Sequence, residues 1–381
     1  MDPLDTASVD AAAELAEPAD GAPTRRRLGR ATLEDIAQAA GVSLSTVDRL
    51  LNARAPVRGD TAERVRAAAE RLGFRASGVI AQRVNQQRPR RRLGFLLQRP
   101  ASGFYRALGR ALTDAVEQAP DIRGQAHIAY LDDLSAEAVA ERMLALGAEV
   151  DALAVVAADH PRVHAAMASL QARGVPVFAL VSELSSPLCA GFVGPDSRKV
   201  GRSAAWFIAG LARTPGPVAI FVGTHRFQCQ ELSEMSFRSY MREHAPGFEV
   251  LEPVMTLDSP TMAEEAMRSL LLRHPDLRGF YVDGGGIEGV LRALPAARAE
   301  GLLAEQTEPL IGVAHDLTPD TLAGLQTGAL HAVLSMPRPQ LAQGLVRGMV
   351  DALASAESAT GPSHRPLRLI LPLETWTPES V

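Results

Sequence analysis

Cysteine is almost absent: Cys189 and Cys229 are the only two in 381 residues. That excludes a disulfide framework and a Cys-rich zinc site. Lysine is scarcer still, with Lys199 alone, so positive charge rests on Arg throughout the chain. Aromatic residues are only 4%. No apolar run approaches the roughly 18 residues of a membrane-spanning helix, and residues 1–20 are acidic with no long apolar stretch, unlike a secretory leader. These absences lead to the expectation of a soluble, cytoplasmic protein with no membrane association, no metal site and no cofactor. What is present fits a multidomain globular chain. Hydrophobic residues make up 46%, and 31 Gly with 26 Pro suit many short loops. At roughly 150 residues per domain, two or three domains are expected.

A net charge of −5 conceals a segregated pattern. Residues 1–23 carry six acids and no base. Residues 24–92 carry sixteen Arg against six acids, a net +10, which leaves −9 for residues 93–381. A basic block between two acidic segments is the pattern of a nucleic-acid module joined to something else, although a solvated basic surface would give the same count.

Residues 1–30 show no helical or strand period and end in Arg25-Arg26-Arg27 and Arg30, so a disordered acidic and Arg-rich tail is expected there. From Thr32 a pattern sharpens. Thr32 with Asp35 reads as a shortened capping box, and Leu33, Ile36, Ala37 and Ala40 fall on one helical face. Gly41-Val42 breaks this helix. Ser43 opens a second, with Val47, Leu50 and Leu51 inward, and Asp60 opens a third, with Val65, Ala69 and Leu72 inward and Gly73 at its end. Three short helices with a tight Gly turn between the first two read as a helix-turn-helix unit over 31–76. An Arg-rich linker or hinge over 77–92 follows.

From Leu93 the chain alternates strand-length apolar runs with helical stretches. Leu93–Leu97, His127–Leu131, Leu153–Ala157, Val175–Val181, Val218–Val222, Arg278–Val282, Leu310–Val313 and Ala332–Leu334 read as strands. Continuous apolar strands between helices imply parallel sheets covered on both faces. The fold class expected is therefore α/β, with a three-helix headpiece followed by two parallel-sheet subdomains over 93–381. A ligand cleft would lie beyond the carboxyl ends of the strands.

The run Thr32-Leu-Glu-Asp-Ile-Ala-Gln-Ala-Ala-Gly-Val-Ser-Leu-Ser-Thr-Val-Asp-Arg-Leu-Leu-Asn52 resembles the DNA-binding headpiece of the lac-repressor family, and so does the third-helix run Asp60–Phe74. Residues 93–381 are similar to that family's regulatory domain, which shares its fold with type I periplasmic sugar-binding proteins. The segments that carry this likeness are Gly194–Ala204, Tyr281–Gly286 and Gly312–Thr318. The resemblance implies a homodimeric transcriptional regulator, most simply a repressor, that reads a near-palindromic double-stranded DNA operator and responds to a carbohydrate-like effector. It also implies chain crossings between the subdomains near residues 195, 336 and 373.

The second helix would enter the major groove, where base edges differ in donors and acceptors. Leu44, Ser45, Asp48 and Arg49 would face bases, while Thr32, Thr46 and Asn52 would hold the backbone, with Arg25 to Arg27 adding non-specific phosphate contacts. A carboxylate at Asp48 repels phosphate unless it accepts from cytosine N4 or pairs with Arg. The family's hinge helix wedges a Leu into the minor groove; counting from Phe74, Arg83 stands there, beside Val84, and Ser77 stands at the usual Asn.

For the effector, Phe104 and Tyr105 occupy the place of the family's stacking aromatics, although ordinary core packing is the alternative for Phe104. Ser182, Glu183, Asp283 and Asp316 follow strand ends, and Arg226 is a candidate cation from a loop. The family's ligand-binding Arg falls at Ser233, and the Gln that often precedes a Pro falls at Met336. An enzyme remains the competing class, because Asp283-Gly284-Gly285-Gly286 follows a strand, but it lacks the spacing of a nucleotide loop. A DNA-binding dimer whose α/β domain has lost its ligand is a third reading.

Overall fold

The computed structural model describes residues 31–303, 308–357 and 366–381, and it divides into two compact units that meet between Gln87 and Arg88. The tail expected over 1–30, with Arg25 to Arg27, lies outside the described residues.

In the first unit, four helices enclose one small core. The helix α1 (Leu33–Ala40) starts at Thr32, whose Oγ1 accepts the Asp35 N–H at 3.2 Å, while Asp35 Oδ2 accepts the Thr32 N–H at 2.9 Å. This is the capping box read from the sequence. Gly41, at φ +63°, closes the helix in the left-handed region, where the lack of a Cβ is needed. After the break comes α2 (Leu44–Leu51). The third helix, α3 (Gly59–Arg71), takes Arg58 rather than Asp60 at its cap, so Asp60 falls in the first turn and faces the helix dipole favourably. Leu72, expected inward, lies beyond the last helical residue and is 39% exposed; the buried face of α3 is Ala62, Val65, Ala68 and Ala69. Ile36, Val47, Leu50 and Val65 form the fully buried centre.

The expected hinge over 77–92 divides differently. Ser77–Gln87 is a helix, α4, because Ile80 and Val84 are spaced to share one face and bury it in the headpiece core. Gln87 Oε1 accepts the Val57 N–H at 3.4 Å, which ties the end of α4 to the loop before α3. Arg83 lies on the half-exposed side and donates to Gln86 Oε1 at 3.0 Å.

The second unit has two parallel sheets. The first runs β12-β5-β4-β3-β1-β2, with β1 (Arg90–Gln98), β2 (Arg123–Leu131), β3 (Ala152–Val155), β4 (Val177–Leu180), β5 (Gly191–Pro195) and β12 (Leu367–Leu371). The second runs β13-β11-β10-β9-β6-β7, with β6 (Pro217–Val222), β7 (Glu249–Val250), β9 (Gly279–Asp283), β10 (Ile311–His315), β11 (Ala332–Ser335) and β13 (Glu374–Trp376); β8 (Val254–Met255) pairs with β6. Among the described strands only β13 runs antiparallel to its neighbour, β11. The register sets Phe95 of β1 beside Ile128 and Ala154, and Phe221 of β6 beside Val282. The central strands β3, β4, β6 and β9 are buried along their whole length, and each sheet is covered on both faces by its own apolar clusters, as continuous apolar runs require. The chain passes between lobes after Pro195, after Ser335 and between Leu371 and Glu374. β1 begins three residues earlier than its apolar run: Arg90, Arg91 and Arg92 pair with Arg123, Gly124 and Gln125 at the exposed start of the ladder.

Candidate nucleic-acid interface and ligand cleft

In the headpiece the buried face of α2 belongs to Val47 and Leu50, which turns the other side of the helix outward. Leu44 is 42% exposed, Ser45 and Arg49 are exposed, and Thr46 is half-buried. Ser43 Oγ makes no cap to the backbone; it lies 2.9 Å from both Ser45 Oγ and Thr46 Oγ1. Arg49 is held along its own helix, its Nη2 donating to Thr46 Oγ1 at 3.2 Å and its Nε to the Ser45 carbonyl at 3.3 Å. Thr32 is engaged in capping α1. Asp48 has the Arg partner its charge needs. Its Oδ2 accepts from Arg54 Nη1 at 2.9 Å, and its Oδ1 accepts from Asn52 Nδ2 at 2.7 Å. Arg54 was not among the residues picked from sequence; it lies beyond the end of α2, where helical spacing no longer links it to Asp48.

In the second unit a cavity of about 250 Å³ lies where strand ends from both sheets meet. Phe104, Tyr105, Asp283 and Asp316 line it, as expected from sequence. Phe104 opens the helix Gly103–Glu117 and belongs at once to the cavity wall and to the core beside Leu108 and Leu112, so its two readings describe one place. Its ring meets Tyr105 edge-on, with centroids 4.9 Å apart. Burial, followed by the Asp258 carboxylate, holds the Tyr105 phenol well above its usual range.

Three expected residues are elsewhere. Ser182 is fully buried outside the cavity lining, and its Oγ accepts the Cys229 N–H at 3.4 Å. Glu183 forms a bidentate pair with Arg368 at 2.6 and 2.9 Å, on a different face. Arg226 is exposed on its loop. A strand end places a residue near a cleft, but the turn after β4 carries Val181 at φ +67°; Val181 then lines the cavity, and Ser182 and Glu183 do not. Ser233 does line the cavity and lies 3.2 Å from the Tyr281 hydroxyl, while Met336 is buried in the core.

Sequence reasoning missed Arg99, Asp258 and His315 as members of the cleft. Each lies at or just beyond the end of a strand, which is the one signal that could have found them. His315 Nδ1 lies 3.2 Å from Asp283 Oδ1. Burial alone would lower the imidazole pKa, but the carboxylates of Asp316 and Asp283 outweigh it and push it up to about 9. Asp316, at φ +64°, is pushed up by burial against the pull of His315 and Arg338. Burial pushes the Cys229 thiol in the same wall up to about 12, so it stays protonated and is no nucleophile. Four buried side-chain atoms of lining residues lack a hydrogen-bond partner: Arg99 Nε, Asp283 Oδ2, His315 Nε2 and Asp316 Oδ1. Orphaned buried polar atoms are uncommon, and four of them cluster in the residues of this cavity's wall.

One chain thus joins a helix-turn-helix headpiece to a two-lobed domain with a polar-lined cleft. Comparison with known proteins agrees. The family described as bacterial regulatory proteins, lacI family, matches residues 32–77, and a periplasmic binding protein domain matches residues 93–357. The HTH-type transcriptional regulator MalR of Streptomyces coelicolor is 30% identical over 199 residues, 51% of this chain and 54% of that protein. The maltose regulon regulatory protein MalI of Escherichia coli (strain K12) is 39% identical over 87 residues, 23% of this chain and 25% of that protein. The chain thus spans about half the length, or less, of these two curated relatives. Both are named as regulators, not as enzymes. The crystal structure of GanP, a glucose-galactose binding protein from Geobacillus stearothermophilus, has a TM-score of 0.64 at 16% identity over 76% of this chain and 98% of that one, which shows the shared fold alone. The chain belongs to the periplasmic binding protein domain family, and its residues 32–77 match the model of the lacI family of bacterial regulatory proteins. Among the described residues, no helix is long and apolar enough to cross a membrane.

Proposed function

We propose that this protein is a sequence-specific DNA-binding transcriptional regulator, acting as a repressor, whose operator affinity is controlled by a polyhydroxylated small molecule bound in the cleft. The observation that carries the effector reading is the cavity of about 250 Å³ lined by Arg99, Asp258, Asp283, His315 and Asp316, donors and acceptors side by side. A hydroxyl both donates and accepts, so a sugar or polyol suits such a lining, and the Phe104–Tyr105 pair supplies an aromatic wall for its C–H face. On the DNA side, Ser45, Asp48 and Arg49 read base edges, and Leu44 lies against them. Thr32, Thr46, Asn52 and Arg54 contact the phosphate backbone. Two copies of the chain, held together by the larger unit, place two headpieces on a near-palindromic site.

A thermal-shift screen of sugars and polyols tests the effector reading, because a ligand that prefers the folded state raises Tm. A compound that raises Tm in the wild type and loses its effect in Asp316→Ala supports it. A broad panel without any shift overturns it.

A further inference from the structure

The glycine turn Gly284-Gly285-Gly286 lines the cavity and opens the helix Ile287–Ala299. Glycine turns at helix starts attract anions, because backbone N–H groups converge there with the positive end of the helix dipole. In this protein one N–H of that turn is taken from within. Asp258 Oδ1 accepts the Gly285 N–H at 2.7 Å, and the Asp258 side chain is only 13% exposed.

The surrounding backbone holds that carboxylate in place. Leu257 and Asp258 both take left-handed conformations, at φ +49° and +54°, which side chains rarely adopt. The fully buried Thr256 stitches the two turns together: its Oγ1 accepts the Asp258 N–H at 3.2 Å and donates to the Gly285 carbonyl at 2.9 Å. A Cβ on Gly285 would fall 2.6 Å from Asp258 Cβ, and one on Gly223 would fall 2.2 Å from Asp258 Oδ1, so both glycines are shaped around this side chain. From the other lobe, Arg99 Nη2 donates to the Leu257 carbonyl at 2.8 Å, and Arg99 Nε lies 3.8 Å from Asp258 Oδ2.

We propose that Asp258 is a specificity-determining residue: its carboxylate occupies the anion position of the glycine turn and excludes effectors that carry a phosphate or carboxylate. The site then takes a neutral polyol and rejects its phosphorylated form. This rests on the polyol reading of the cleft. The charge balance of the lining points the same way, since Asp132, Asp258, Asp283, Glu288 and Asp316 face the cavity against Arg99 and His315 alone. A bound phosphate would face repulsion from like charges that water screens poorly in a closed cleft.

The test uses the full-length protein, calorimetric titration at fixed ionic strength, and two probes: inorganic phosphate, and hexoses paired with their 6-phosphates. Asp258→Asn keeps an acceptor for the Gly285 N–H but removes the charge. Asp258→Gly empties the position and tolerates the left-handed backbone. The wild type is expected to bind neither phosphate nor any hexose phosphate. Both variants should gain phosphate binding, by about tenfold or more in Asp258→Gly. Wild-type affinity for a hexose phosphate equal to or above that for the parent hexose would overturn the proposal, as would folded variants with no gain for phosphate. If no neutral hexose or polyol binds any of the proteins while Asp258→Gly gains phosphate, the polyol reading falls and the role of Asp258 stands. If neither variant folds, the wild-type comparison of hexose with hexose phosphate decides.

Discussion

His315 Nδ1 and Asp283 Oδ1 lie 3.2 Å apart at the carboxyl ends of adjacent parallel strands, β10 and β9. The pair places an imidazole inside a cavity wall and leaves the buried His315 Nε2 and Asp283 Oδ2 without hydrogen-bond partners. The imidazole pKa is raised from its ordinary 6.5 to about 9. A raised folded-state pKa means that the stabilisation is fully present below about pH 6.5 and is lost as pH rises through about 9.

The first prediction follows. Stability from urea unfolding should fall between pH 6.5 and pH 9 by an amount on the order of 3 kcal/mol, and His315→Phe should remove most of that slope. A wild-type profile as flat as that of the variant would contradict the assignment.

A second prediction concerns Phe104, which is 9% exposed and shared between core and cavity. Phe104→Ala should lower stability by about 3–5 kcal/mol through the cavity it leaves. Phe104→Leu should recover most of that stability while losing the aromatic wall, so ligand binding should weaken even where unfolding is nearly normal. Normal ligand affinity in Phe104→Leu would leave the ring a packing role only.

How far the sequence carried depends on the kind of signal each element has. The α1 capping box, the α2 face and the strands β3, β4, β6 and β9 were legible because their patterns are local: a cap three residues from its partner, or an unbroken apolar run. The starts of two strands of the first sheet were not. β12 alternates half-buried with exposed residues, and β1 begins with three Arg, so neither start reads as apolar. The hinge was hidden for another reason: the Ile80 and Val84 face is short, and its burial depends on a core formed by α1, α2 and α3. In the cleft, Phe104, Tyr105, Asp283 and Asp316 were found by position after strands. Arg99 and Asp258 came together only through the meeting of two sheets, which no local spacing encodes.

A third prediction concerns Asp48 and Arg54, whose side chains are 34% and 68% exposed. An exposed pair of this kind contributes less than about 1 kcal/mol to stability. Arg54→Ala should therefore barely change unfolding, yet it should weaken binding to all duplexes alike and reduce the salt slope by about 1. Arg49→Ala should behave differently, losing about 1–3 kcal/mol at the preferred site and relaxing preference at one base pair. Identical effects of the two variants across a duplex panel would contradict the division between base and phosphate contacts.

A fourth prediction concerns assembly. Residues 88–381 contain both sheets and their apolar cores, so this unit should fold alone and sediment as a dimer at micromolar concentration. Residues 31–87 should be monomeric and bind DNA weakly. A monomeric larger unit would remove the basis for two half-sites.

Coupling between cleft and headpiece shows directly in operator affinity. Full-length protein selects its operator from a random duplex pool, and the Kd for that operator is then measured with and without a saturating ligand that raises Tm. A near-palindromic site and a ligand-dependent change in Kd of about 5–150-fold, the usual range of allosteric coupling, are expected. A Kd that no Tm-raising ligand alters, or equal binding to every duplex with one common salt slope, would contradict it.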